Sequence, residues 1–175
     1  MNKTYAKVFN EVYPNFFEKK DIRSLSEDHI FYELVFDLTD GDRLLKYDKP
    51  KINVELRMCD AHKIKDAVAL VNENWVKYFK RGTKACCLYC NNRLVSFCLI
   101  ETKEVNGSHI GFIGCLGTLP DYRNNGCASY LISYITATMY SAEYDLVWIH
   151  YTYLDEWFSD IGFETVLEWN CRGLL

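Results

Sequence analysis

Hydrophobic positions along the chain follow two periodicities, which divide it near Pro50. Before that point the spacing is helical. Val8, Val12, Phe16 and Phe17 recur at three- to four-residue steps, and Pro14, with no N–H to donate, must kink or restart the helix. Ile30, Phe31, Leu34, Val35 and Leu38 form a second stripe, so residues 1–50 are expected as a helical extension with a plain turn at Asp40-Gly41-Asp42. From residue 51 the pattern predicts an α/β domain. Residues 52–58 alternate as a strand, and Asp60 is placed to cap a helix with Ile64, Ala67, Val68, Val71, Trp75 and Phe79 on one face. Runs at 85–90 and 94–101 read as strands joined by an Asn91-Asn92 hairpin, and Asn106-Gly107 turns the chain into a strand at 109–118. A helix follows with Ala128, Leu131, Ile132, Ile135 and Met139 on one side. A buried strand at 146–152, a short helix at 153–161 capped by Gly162 and a last strand at 165–169 complete the order β-α-β-β-β-α-β-α-β.

Composition narrows the class. The 175 residues suit one domain, and 49% apolar with 25% charged residues excludes disorder, collagen and coiled coil. A net charge of −4 argues against a nucleic-acid or membrane-surface binder, which would carry a basic excess. The sequence shows no transmembrane run and no signal-like start, so the expected compartment is the cytoplasm. Eight cysteines lie mostly in apolar strand-like runs, where a free thiol packs as a small hydrophobe. Cys87-Leu-Tyr-Cys90 has no second ligand pair, so no metal site is expected.

The segment Leu116-Gly-Thr-Leu-Pro-Asp-Tyr-Arg-Asn-Asn-Gly-Cys-Ala128 carries the chemistry. A loop between a strand and a helix leaves backbone N–H groups unpaired at the helix start, where the helix dipole also favours an anion. Gly126 and Ala128 let a ligand approach the backbone, and Arg123 adds positive charge. Neither GxGxxG nor GxxxxGK[ST] is present.

Arg123-x-x-Gly126-x-Ala128, preceded by Pro120-Asp-Tyr122, resembles motif A of the GNAT superfamily of acetyl-CoA-dependent N-acetyltransferases. Ile161-Gly162-Phe163 resembles the Leu-Gly-Phe that closes the family's fourth helix, and the element order from 52 to 169 is also similar. The resemblance implies a mixed sheet whose fourth and fifth family strands run parallel and splay around acetyl-CoA. The pantetheine arm would pair with Leu116, Gly117 and Thr118. The pyrophosphate would sit on the N–H groups of Arg123, Asn124, Asn125, Gly126, Cys127, Ala128 and Ser129. A strand amide near residues 116–118 would hold the developing oxyanion while an amine attacks directly in a ternary complex.

The residues for proton transfer depart from the family pattern. The usual acid, a Tyr four residues before the Gly of the Gly-Phe step, is Phe158 here, and the usual Asn seven residues earlier is Tyr151. Tyr151 is the replacement candidate for the acid, with Tyr153 next, although a thiolate can also leave without one. For the base, His150 at the end of its strand competes with Glu101, and Cys115 is a conceivable acyl carrier without an evident partner.

Charge suggests the acceptor. Residues 51–129 hold eleven Lys/Arg against seven Asp/Glu, whereas residues 130–175 hold only Arg172 against seven carboxylates. Asp145, Asp155, Glu156, Asp160, Glu164 and Glu168 lie where the family builds its acceptor side, which points to a cationic amine, on a small molecule or on a peptide or protein. The aromatic stripes of residues 1–50 are expected to pack on the domain or across a homodimer. Two other readings stay open: an acyl-CoA-binding module without catalysis, and an interaction protein using its aromatic N-terminal stripes.

Overall fold

The computed structural model describes residues 3–40, Leu45 and residues 49–175. Its strands are β1 (Phe31–Asp37), β2 (Glu55–Asp60), β3 (Lys84–Cys90), β4 (Arg93–Val105), β5 (Ser108–Thr118), β6 (Leu146–Thr152), β7 (Glu164–Asn170) and β8 (Gly173–Leu174). They form one mixed sheet in the order β2-β3-β4-β5-β6-β1-β7-β8. All neighbouring pairs are antiparallel except β5 and β6, which run parallel. The helices are α1 (Lys3–Val12), α2 (Lys20–Arg23), α3 (Lys65–Val71), α4 (Cys127–Ser141) and α5 (Asp155–Ile161). Both hairpin signals hold for a physical reason. Asn91 and Asn92 (φ 49° and 61°) and Asn106 and Gly107 (φ 53° and 81°) take the paired positive φ that two-residue hairpins require.

The second N-terminal stripe is a strand, not a helix. β1 lies between β6 and β7 and is antiparallel to both. Leu34, Val35 and Phe36 are buried and belong to cores on both sides of the sheet. A strand covered on both faces loses its polar alternation, so apolar positions three and four apart there do not indicate a helix. The expected boundary at Pro50 therefore separates nothing at the level of the sheet. Helix does form over Lys3–Val12, and the chain restarts after Pro14 as a 3-10 turn, Phe16–Glu18. Of the turn expected at Asp40-Gly41-Asp42, Gly41 and Asp42 lie outside the described residues.

Helices cover both faces. Leu131, Ile132, Ile135 and Met139 of α4, with Phe158 and Ile161 of α5, pack on one face against Leu34, Phe36, Ile113, Val147 and Ile149. On the other face, Ile64 and Val68 sit over Cys87, Phe97 and Leu99. Beside them, Phe9 of α1 and Phe16 close over Phe112, Trp148 and Trp169. The aromatic N-terminal stripe thus packs on its own sheet. Cys86, Cys87, Cys98 and Cys127 are buried free thiols, in keeping with thiols that pack as apolar groups.

Candidate functional site

The parallel pair β5–β6 parts midway. Its partners run from Ile110 with Leu146 to Ile113 with Ile149, whereas β5 continues to Thr118 and β6 to Thr152. From Gly114 to Thr118 the edge of β5 that faced β6 has no strand partner among the described residues. Each parting strand carries a bulge at this point. Leu99 pairs with Gly114 but Phe97 with Gly117, leaving Cys115 and Leu116 opposite Cys98, with Cys115 at φ 49°. On β6, His150 and Tyr151 stand opposite Glu33, with Tyr151 at φ 57°. Bulges re-aim side chains and end pairing, and here they hold the two strands apart.

The loop after β5 opens onto the same gap. Leu119 N–H bonds to Val95 O at 2.9 Å, Pro120–Tyr122 form one 3-10 turn, and Asn124 and Gly126 take positive φ (60° and 74°) before α4 begins. The N–H groups of residues 126–129 have no acceptor among the described residues, so the start of the fifteen-residue α4 displays a cluster of free donors. Neighbours brace the loop. The Asn125 amide donates to the carbonyls of Tyr122 and Arg123, both at 3.1 Å, and Ser129 Oγ donates to Gly126 O at 3.2 Å. Lys51 donates twice, from N–H to Asn125 O at 2.9 Å and from Nζ to Asn124 O at 3.2 Å, which brings a second cation beside exposed Arg123. Arg123 Nε bonds to Thr118 O at 3.3 Å. Leu116, Gly117 and Thr118 form the free edge, Cys127 is buried, and Ala128 and Ser129 are half-buried at the first turn of α4. Free strand-edge groups on β5 suit an extended chain, and the free N–H groups at the start of α4 suit an anion.

His150 lies just past the last paired residue of β6. Its Nδ1 sits 2.8 Å and 3.0 Å from the two carboxylate oxygens of Glu33. Glu33 is fully buried and collects three more donors: Trp148 Nε1 at 2.6 Å, Trp169 Nε1 at 2.9 Å and the Tyr151 N–H at 3.2 Å. Those three groups can only donate, so the burial of the carboxylate oxygens is offset by hydrogen bonds that they accept. The imidazole stacks on the Tyr13 ring at 3.9 Å and 15°, with Phe16 edge-on at 5.2 Å. His150 Nε2 has no hydrogen-bond partner among the described residues, and the side chain is 22% exposed.

Burial, then the charges of Asp21 and Tyr78, raise the Tyr151 phenol, which is therefore protonated at neutral pH. Tyr153 is largely exposed. Glu101 lies close enough to raise Cys115 after burial, and Tyr13 after burial and Glu33. Burial pushes the Cys115 thiol up to about 12, so it is not a ready nucleophile. Phe158 is buried in the core on the α4 side and offers no hydroxyl. Of the six carboxylates, Glu168 stands opposite Tyr32 across β1 and β7, and the charges of Asp155, Glu168 and Glu156 raise the Tyr32 phenol, behind burial as the first cause. Asp145 instead accepts from the His109 N–H at 2.7 Å at the opposite end of β6, which removes it from the acceptor side. Asp21, pairing with Lys77 at 3.9 Å, is an acid at Tyr151 that the expected set lacked.

Sequence reasoning missed Glu33. The signal was a lone carboxylate inside Phe31-Tyr-Glu-Leu-Val-Phe36, which the helical reading of the stripe passed over.

Comparison with solved structures decides the fold. A GCN5-related glucosamine N-acetyltransferase region of a fungal multi-domain GH3 β-N-acetylglucosaminidase superposes with a TM-score of 0.61 at 12% identity, over 81% of this chain and 20% of that one. A GCN5-related N-acetyltransferase from Kribbella flavida gives 0.56 at 15% identity, over 80% of this chain and 56% of that one. The fold is that of the GCN5-related N-acetyltransferases. A transcriptional regulator from Bacillus halodurans C-125 superposes with a TM-score of 0.55 at 12% identity, over 64% of this chain and 93% of that one. The chain spans a fifth of the fungal protein and just over half of the Kribbella protein. No family model matches the sequence, and the search of curated proteins found no match. Among the described residues, no helix is long and apolar enough to cross a membrane.

Proposed function

We propose that the protein transfers an acetyl group from acetyl-CoA to a cationic primary amine. The observation that carries this reading is the parting of β5 from β6 beside the free N–H groups at the start of α4. Residues 116–118 would pair with the pantetheine arm, and the side chains of Arg123 and Lys51 with the N–H groups of residues 126–129 would hold the pyrophosphate; the Arg123 N–H, expected among the donors, is instead taken by Pro120 O at 3.3 Å. Acetyl-CoA supplies the acyl group as a thioester with a thiolate leaving group. His150 Nε2 takes a proton from the incoming ammonium, whose electron pair stays on nitrogen for attack. Tyr151 is the candidate donor of a proton to the leaving sulfur. Because the Cys115 thiol is held protonated, direct attack is favoured over an acyl-enzyme. Cys115→Ser is expected to keep kcat within about threefold of the parent. A hundredfold loss, with an acetylated Cys115 trapped in the parent, would establish the covalent route instead.

The acceptor class follows from charge. Asp155, Glu156 and Glu168, together with Asp21, place carboxylates at the parted end of the sheet. These would concentrate an ammonium there and disfavour an acidic acceptor. Matched amines differing only in net charge are expected to release CoA fastest when cationic, with the advantage shrinking as salt rises. Salt-independent rates, or a preference for acidic amines, would leave these acids as surface.

Phe158 favours a second reading, an acyl-CoA-binding module without turnover, because it replaces the family's usual acid with a packed ring. CoA binding without CoA release across a panel of amines would select it. The interaction-protein reading loses its footing, since Phe9 and Phe16 are buried on the sheet.

A further inference from the structure

The segment before β2 reaches the proposed base from three directions. Glu33 of β1 meets His150 Nδ1 through both oxygens. Tyr13, just past α1, stacks flat on the imidazole, and Phe16 closes its edge. We propose that Glu33 is a positioning residue that, with Tyr13 stacked on the ring, locks His150 in the Nδ1–H tautomer and so presents a bare Nε2 to the acceptor amine. This rests on the acetyltransferase reading above and adds to it a residue pair that His150 alone does not supply.

The chemistry follows from the donor count. Two indole N–H groups and one backbone N–H already donate to Glu33, and none of them can accept. The carboxylate therefore takes the Nδ1 proton as a fourth donation, which leaves the lone pair of the neutral ring on Nε2. In the transfer step the N–H bond of the ammonium breaks, its electron pair remains on the acceptor nitrogen and the proton bonds to Nε2. The imidazolium so formed sits against the Glu33 charge and then gives the proton to solvent through the open side of the ring. An unanchored imidazole would populate both tautomers and rotate about its side-chain bonds.

The charged and titratable groups facing His150 are few. Glu33 comes from β1, Tyr13 from the end of α1 and Tyr151 from its own strand. Behind Tyr13 stand Glu101, whose charge reaches its phenol, and Lys103, with Nζ 5.8 Å from the ring. Lys19 lies over Phe16 at 5.1 Å. Glu33 is the one carboxylate bonded to the imidazole among the described residues. Replacing Glu33 by a neutral amide removes the opposite charge beside the ring, so the acidic limb of the rate profile is expected to move in that variant.

The test is the pH–rate profile of CoA release for the full chain, its Glu33→Gln form and its His150→Gln form, each first titrated with acetyl-CoA. For Glu33→Gln, kcat is expected to fall at least 30-fold with KM for acetyl-CoA unchanged and with the acidic limb moved to lower pH. For His150→Gln that limb should vanish. A purely structural Glu33 would lower the unfolding temperature but leave the limb in place, and that result overturns the proposal. Because Glu33→Gln leaves buried donors short of acceptors and can fail to fold, the nitrogen resonances of His150 in the unaltered chain are a second readout. Protonated Nδ1 with bare Nε2 at pH 8 supports the proposal, and the opposite tautomer overturns it. If the unaltered chain binds no acetyl-CoA, the acetyltransferase reading itself fails. If it binds and turns over with all three profiles alike, only the Glu33–His150 assignment fails.

Discussion

Removing residues 1–40 is expected to leave a chain that no longer folds cooperatively. β1 is paired on both sides, so its loss strips β6 and β7 of their common partner and opens two unsatisfied edges in the middle of the sheet. Phe31, Leu34, Val35 and Phe36 leave the core with it, as do Phe9 and Phe16 from the cover over Trp148 and Trp169. Truncating one such buried side chain costs about 2–5 kcal/mol, so losing six together exceeds the roughly 5–15 kcal/mol that holds a typical domain. The two tryptophans also lose Glu33 as the acceptor for their indole N–H groups. Urea unfolding followed by tryptophan fluorescence should show no sigmoidal transition for the shortened chain. A transition at the parent's midpoint would mean that the first forty residues are a dispensable attachment.

Ala128→Glu is expected to abolish most acetyl-CoA affinity while leaving the fold intact. Residue 128 lies in the first turn of α4, half-buried, beside N–H groups with no acceptor among the described residues. An acid there suits the helix, adding about 0.3–1 kcal/mol through the dipole. The same charge stands where a pyrophosphate would have to sit, and a like-charge contact near a protein surface costs up to about 4 kcal/mol at 4 Å. A loss of at least about 30-fold, or roughly 2 kcal/mol, is expected, with an unfolding temperature equal to or above the parent's. Ala128→Gln, equally large but neutral, separates volume from charge and should lose much less. Equal affinity in all three proteins would move the anion site away from α4.

Much of the domain from residue 51 onward is legible because its signals are local. Paired asparagines demand a hairpin, and Gly162 ends α5 at φ 122°, where a Cβ would be strained; Asp60 accepts from His62 N–H at 3.1 Å as the cap of a 3-10 turn, Ala61–Ile64, and the helix expected to run on to Phe79 ends at Val71. The cofactor loop is legible for the same reason, since the run from Leu116 to Ala128 dictates both its turn and its free donors. What escapes is long-range. Phe31–Asp37 becomes a central strand only because α1 covers one face and α5 the other, and no spacing within the segment reports that. Glu33 and His150 are 117 positions apart, so their bond becomes visible only once the order β6-β1-β7 is known. The acidic tail shows the same limit. Equal in sequence, Asp145 and Asp155 fall at opposite ends of the sheet because a strand's length separates them.

The most direct test of the whole reading is isothermal titration of the full chain with acetyl-CoA. One saturable site of micromolar affinity, about −6 to −8 kcal/mol, is expected, and it should weaken in Ala128→Glu but persist in Glu33→Gln. Absence of saturable heat up to millimolar acetyl-CoA, from a chain that unfolds cooperatively, would contradict it: the parted strands and the open start of α4 would then serve something other than this cofactor.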